Sequence, residues 1–264
     1  MNNNVVISLF GAGIYTEKWM RLYESLASNE VSFEIILVGH RAPEFVLPEN
    51  FHFIYSEVKP AQCAEIASRY TVGEFIMNTT DDIVFSEHAL DKMVEMHRNY
   101  DCEKIMISCR YVLDGKDLTD EAAYFWWGIP QSPRMPAGGL IRKSMWTQLG
   151  GIDQRFTALC WDLDIAMRLY EIGGAVGLCK DVWVEEVESK RRLYADVGAP
   201  VDRPLLDWLW IRHTAPPKGM DSSPWIHHKH EEKGVLSRTR LSPVVPFDDR
   251  YILTRSQGPK GRWR

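Results

Sequence analysis

Two adjacent carboxylates, Asp81 and Asp82, follow the apolar run Phe75-Ile76-Met77 in the stretch FIMNTTDD. A short apolar run of this kind reads as a buried strand. In an open α/β sheet, ligands bind beyond the carboxyl ends of strands, which is where this pair falls. Neighbouring carboxylates repel each other unless a proton or a cation sits between them. Oxygen ligands suit Mn2+ or Mg2+, and with such a cation a phosphate-bearing substrate. Asp is also a common turn residue, so the pair by itself is equally a turn signal.

A second acidic group lies in CWDLDIAMRLYEIGG, residues 160–174. Asp162 falls in the first turn of a predicted helix, where the helix dipole favours the ionised form. It stands beside a Gly-rich loop and is the candidate general base. Asp164 and Arg168 are four apart and can pair along one helix face, so Asp164 reads as a salt-bridging residue. The aromatic run Tyr124-Phe125-Trp126-Trp127-Gly128 suits either a hydrophobic flap or a ring-stacking platform for a sugar or base.

These groups need elements to position them. Strands are predicted over 5–10, 33–38, 51–55, 75–78, 104–113 and 176–184. Apolar residues at Trp19, Leu22, Tyr23 and Leu26 predict a helix with Thr16 as its N-cap. Further helices are predicted over 60–70, with Pro60 in its first turn, over 86–100 from Ser86, over 144–149 and over 162–172. Strand–helix alternation predicts an α/β fold with a mostly parallel central sheet between helical layers. From about residue 189 the prolines break up the pattern, apart from a short helical stretch, DWLWI, at 207–211. The expected organisation is a main domain over 1–190, split into halves at about residue 100. An irregular extension over 191–264 is wrapped on it.

Composition narrows the classes. At 264 residues with 45% hydrophobic and 25% charged residues, the chain suits one large α/β domain or two small ones. A net charge of −5 argues against bulk attraction to nucleic acid. Arg250, Arg255, Lys260, Arg262 and Arg264 nevertheless make a basic tail, read as a solvated terminus or as contact with an anionic acceptor or membrane surface. The five cysteines are scattered and lack a CxxC pattern, as expected of reduced thiols in a cytosolic-type compartment. The start MNNNVVISLF reads as a first strand, not as a signal peptide.

The order of pieces resembles a known family. A strand with a Gly-rich turn leads to QCAEIASRYTVGEFIMNTTDD, then GGLIRK, LGGIDQRF and WDLDIAMRL. This is similar to glycosyltransferase family 2, with its GT-A fold, a three-layer α/β/α sandwich, over about residues 5–188. The resemblance implies transfer of a sugar from a nucleoside-diphosphate sugar to an acceptor hydroxyl, with Mn2+ or Mg2+ and inversion by single displacement. Asp81 matches the metal-contacting aspartate and Asp82 the acid after it. Asp162 matches the catalytic base. Gly138 and Gly139 match the loop near donor sugar and acceptor. Phe10, Gly11 and Ala12 match the loop that lines the nucleotide, and Gly39, His40 and Arg41 the end of the strand that faces its base or ribose.

Three positions depart from the family. Thr79 replaces the first acid of the metal motif. Trp161, placed with the substrate-binding residues, replaces the usual Glu before the base. At Val184-Glu185-Glu186 the family often has a His, so Glu185, Glu186 or a later histidine (His213, His227, His228, His230) is left as the third ligand. Two other readings stay open. A sugar-phosphate nucleotidyltransferase is disfavoured because the loop FGAGIYTEK carries only Lys18, and a degenerate, non-catalytic binder of nucleotide-sugar or glycan fits the missing acids. No GxxxxGK[ST] motif for a Walker-type ATPase occurs.

Overall fold

The computed structural model describes residues 5–119, 139–186, 195–210, 240, 242–247 and 256–257. Gly138, the aromatic run at 124–128, the late histidines and the basic tail lie outside them. Among the described residues, ten strands form one sheet. They are β1 (Ile7–Ala12), β2 (Phe33–Gly39), β3 (Phe51–Ser56), β4 (Phe75–Asn78), β5 (Ile83–Phe85), β6 (Ile105–Leu113), β7 (Lys116–Asp117), β8 (Leu140–Arg142), β9 (Ala175–Glu186) and β10 (Ser256–Gln257). The helices are α1 (Trp19–Ser25), α2 (Pro60–Tyr70), α3 (Ala89–Arg98), α4 (Lys143–Leu149), α5 (Trp161–Glu171) and α6 (Ala195–Leu209). No helix among the described residues is long and apolar enough to cross a membrane.

The strand order is β10-β3-β2-β1-β4-β8-β6-β9-β5, with β7 beside β6. β3, β2, β1 and β4 run parallel, and Leu9 of β1 sits between Ile35 and Met77. From β8 onward the sheet is mixed: β8 is antiparallel to both β4 and β6, β9 is parallel to β6, and β5 is antiparallel to β9. The expected mostly parallel sheet is therefore confined to one half. The other half departs because β5 and β8 are only three residues long, too short to register as periodic runs. Their direction is set by the strands they join.

Side-chain alternation divides the core in two. Leu9, Ile35, Leu37, Phe75, Met77, Ile105 and Ile107 face one way, against α1 and α3. Phe10, Ile36, Val38, Ile54, Ile76 and Met106 face the other way, against α2, α4, α5 and α6. Successive strand residues point to opposite faces, so apolar strands of this kind must be covered on both sides. The result is three layers, helix, sheet and helix. α6 and the segment 242–247 join the second cluster through Leu206, Leu209, Trp210 and Phe247. α6 forms although Pro200 and Pro204 lie within it. Asp202, Leu206 and Leu209, spaced four and three apart, give it a buried face, and packing of such a face outweighs weak propensity.

Candidate functional site

Three strand ends meet where chemistry was expected. Backbones crowd here so closely that side chains are excluded. A Cβ on Gly11 would lie 2.0 Å from the Thr79 carbonyl oxygen, and one on Gly39 would lie 2.0 Å from that of Gly13. Thr79 also donates its N–H to the Phe10 carbonyl at 2.9 Å. The Phe10 ring itself is fully buried in the core. The backbone of Phe10 is tied to Thr79, while its ring packs in the core against Trp146. Ala12 is half-buried at the end of β1, and His40 and Arg41 are exposed just past β2.

Asp81 is buried, with its carboxylate turned inward. Its Oδ2 accepts the Ile14 and Tyr15 N–H groups and, at 2.8 Å, the indole N–H of the fully buried Trp19. Burial pushes its carboxyl up to about 6 against these hydrogen bonds, and the neighbouring Asp82 charge adds to the rise. Asp81 thus pins the loop between β1 and α1. Asp82 is half-buried.

Pairing of β5 with β9 sets Glu186 opposite Ile83 and Glu185 opposite Val84, next to the acidic pair. Glu185 accepts the Gly115 N–H at 2.8 Å, and Glu186 accepts the Tyr111 hydroxyl. No group of three or more His, Cys, Asp or Glu gathers among the described residues. Asp81 Oδ2 is committed to three N–H donors, and the late histidines that could supply a third ligand lie outside the described residues.

Asp162 has a different setting. It opens α5 after Cys160, whose φ of 64° is in the left-handed region. Its Oδ1 accepts the Leu163 N–H at 2.9 Å. Part of its surface stays open, yet the protein around it excludes enough water to push its carboxyl up to about 6. A carboxylate of raised basicity in a residue that is not fully buried is suited to take a proton near neutral pH. Next to it, the Trp161 ring meets Trp146 edge-on at 6.5 Å, and Trp146 meets Phe10 edge-on at 5.0 Å. This aromatic chain links the start of α5 to β1 through the core. Asp164 points inward and pairs with Arg168 at 3.0 Å, as its spacing predicts.

The loop from Gly150 to Cys160 carries the chain into α5. Gly150 and Gly151 have φ of 87° and 68°, which glycine adopts without penalty. Glu65 of α2 accepts the Ile152 N–H at 2.9 Å, and Arg168 donates to the Gly151 carbonyl at 2.7 Å. On the far side, Gly139 donates its N–H to the Asn78 side chain at 3.1 Å, which ties β8 to the end of β4. Glu65 does not stand out in the sequence, and Trp19 reads there only as a helix-core residue. Glu65 carries a usable signal, a charge on the same helical face as the buried Ala61 and Ser68, because buried acids are rarely unpaired.

No family model matches the sequence, and no curated protein is similar to it. Solved structures are. TarS of S. aureus, residues 1–349 in complex with UDP, aligns with a TM-score of 0.50 at 12% identity, covering 68% of this chain and 60% of that one. A second structure of TarS 1–349 aligns with a TM-score of 0.51 at 11% identity, covering 67% and 60%. The chain thus matches little more than half the length of these neighbours, and at such identity the likeness is one of architecture. The α/β fold described above is similar to that of a protein crystallised with UDP.

Proposed function

We propose that this protein transfers a glycosyl group from a nucleoside-diphosphate sugar to an acceptor hydroxyl, on a GT-A type sheet, with Asp162 as general base. The observation that carries this reading is Asp162 itself, a carboxyl raised to about 6 in a half-buried residue at the head of α5. The likeness to a UDP-bound structure supports a nucleotide donor, and so does the family resemblance of the segments around Asp81 and Asp162.

In the proposed step the acceptor hydroxyl gives its proton to Asp162 as its oxygen attacks the anomeric carbon. The bond from that carbon to the diphosphate oxygen breaks, and its electron pair leaves with the nucleoside diphosphate. A single displacement inverts the anomeric centre. General-base help of this kind is worth ~10²–10⁴-fold. Asp81 serves by holding the β1–α1 loop that would face the nucleotide. No part of the step is assigned to a cation.

The test is a screen of nucleoside-diphosphate sugars for release of nucleoside diphosphate, followed by Asp162→Asn. The variant is expected to lose transfer while UDP still raises its Tm, since a ligand stabilises whatever it binds by mass action. Wild-type turnover in that variant would overturn the assignment. A second reading, a binding module without turnover, is motivated by Thr79 and Trp161, which stand where the family carries acids. It predicts stabilisation by UDP with no release of nucleoside diphosphate from any donor.

A further inference from the structure

We infer that Asp202 of α6 is a positioning residue for Asp162, acting through the backbone of Thr157, Ala158 and Leu159. The inference rests on the proposed role of Asp162 as base. Asp202 is fully buried. Its Oδ1 accepts the Thr157 N–H at 2.8 Å, and its Oδ2 accepts those of Ala158 at 2.8 Å and Leu159 at 2.7 Å. Three successive peptide groups are therefore held by one carboxylate from a distant part of the chain. Hydrogen bonds to an ionised acceptor are short and strong, and their geometry is directional.

The rest of the loop is built around this clamp. Gly198, one turn before Asp202, leaves room for it: a Cβ there would lie 3.0 Å from Ala158 Cβ and 3.4 Å from Leu159 Cγ. From the opposite side, Ala61 of α2 donates its N–H to the Thr157 carbonyl at 2.9 Å. The chain then passes through Cys160, a non-glycine residue at φ 64°, a conformation such residues seldom adopt unless their neighbours impose it. Trp161 and Asp162 follow at once. With 157–159 held from two sides, the direction in which α5 departs is set, and with it the place of the Asp162 carboxylate. Small displacements of a catalytic group carry large rate penalties.

Asp202→Asn is the discriminating variant. It keeps the shape of the side chain but replaces one acceptor oxygen with an NH2 group that faces an N–H of the loop. Amide hydrogen exchange reads the clamp without reference to turnover. Exchange at Thr157, Ala158 and Leu159 is expected to accelerate at least tenfold, with Leu206 and Leu209 of the same helix unchanged. In turnover, kcat is expected to fall tenfold or more while the donor KM stays within twofold. The acid limb of the rate profile should move to lower pH as water reaches Asp162. Gly198→Ala, which crowds the loop without altering charge, should act in the same direction more weakly and covers the case in which Asp202→Asn does not fold. Faster exchange with unaltered kcat and pH limb would reduce Asp202 to a structural role and overturn the inference. Unchanged exchange would overturn the clamp and with it the inference, leaving the assignment of Asp162 untouched. Absence of turnover in the wild type would instead overturn the assignment of Asp162 and, with it, the positioning of any base.

Discussion

Asp81 and Asp162 are both carboxyls that burial lifts to about 6, and their surroundings give them different uses. Asp81 spends an oxygen on three N–H groups. Asp162 Oδ1 accepts the Leu163 N–H, and under the proposed function the pH dependence of transfer should report this carboxyl. Below about pH 6 the group is protonated and cannot accept a proton, so kcat is expected to rise with pH through that value, as measured in a pH–rate profile. Its stability effect has the opposite sense. Because the folded-state pKa lies above the unfolded one, the folded protein holds more protons between about 4 and 6, and stability falls as pH rises through that window. Asp162→Asn should therefore unfold at a higher Tm than the wild type above about pH 6, with the gain vanishing near pH 4. The acidity of both sites could be read from the sequence, but the direction each carboxylate faces could not. The partner of Asp81 is Trp19, far away in the chain, and only the fold brings the two together.

At the scale of elements, the strand ends are built on absence of side chains. Gly39→Ala would drive a methyl into the Gly13 carbonyl, and overpacking against backbone costs about 1–3 kcal/mol or more. Gly115→Ala, in the turn between β6 and β7, meets nothing within 4 Å and carries only the strain of a left-handed alanine, roughly 1 kcal/mol. Chemical denaturation of the two variants should rank them in that order, and equal losses would refute the crowding described at the strand ends. β4 and α2 have the bounds their patterns predict, because an apolar run and a Pro-led amphipathic stretch are local signals. α3 starts at Ala89, later than expected, and the Ser86 hydroxyl accepts the Trp183 N–H at 3.1 Å. The prediction of irregular chain beyond residue 189 fails at α6, where prolines mask a helix whose stability comes from the core it covers.

Across the whole molecule, one buried ionic network ties the late segments to the candidate site. Arg240 bridges Asp153 at 2.8 Å and Asp164 at 3.0 Å, and the Trp210 indole donates to Asp164 at 2.8 Å. Both aspartates are fully buried. Removing one partner of such a set strands the other charges, typically at a cost of about 3–5 kcal/mol. Arg240→Met is expected to lose stability of that order and to render the chain around 240–247 sensitive to limited proteolysis. Burial works against the Asp153 charge, but hydrogen bonds from Arg155 and Arg240 outweigh it and bring its carboxyl to about 2. Its contribution is thus complete above the ordinary carboxylate range and is lost as pH falls through about 2. The LGGIDQRF segment could be read as a motif, but its link to Arg240 could not, since no local pattern joins residues so far apart.

The placement of Asp202 and Arg240 after α5 has a consequence for the life of the chain. Proteins emerge from the ribosome with their N-terminal parts first. A copy whose synthesis has just passed α5 already carries Asp162 yet still lacks the side chains that fasten the loop beside it. Under the proposed function, turnover is then expected only once the later segments have been made and have docked on the loop before α5.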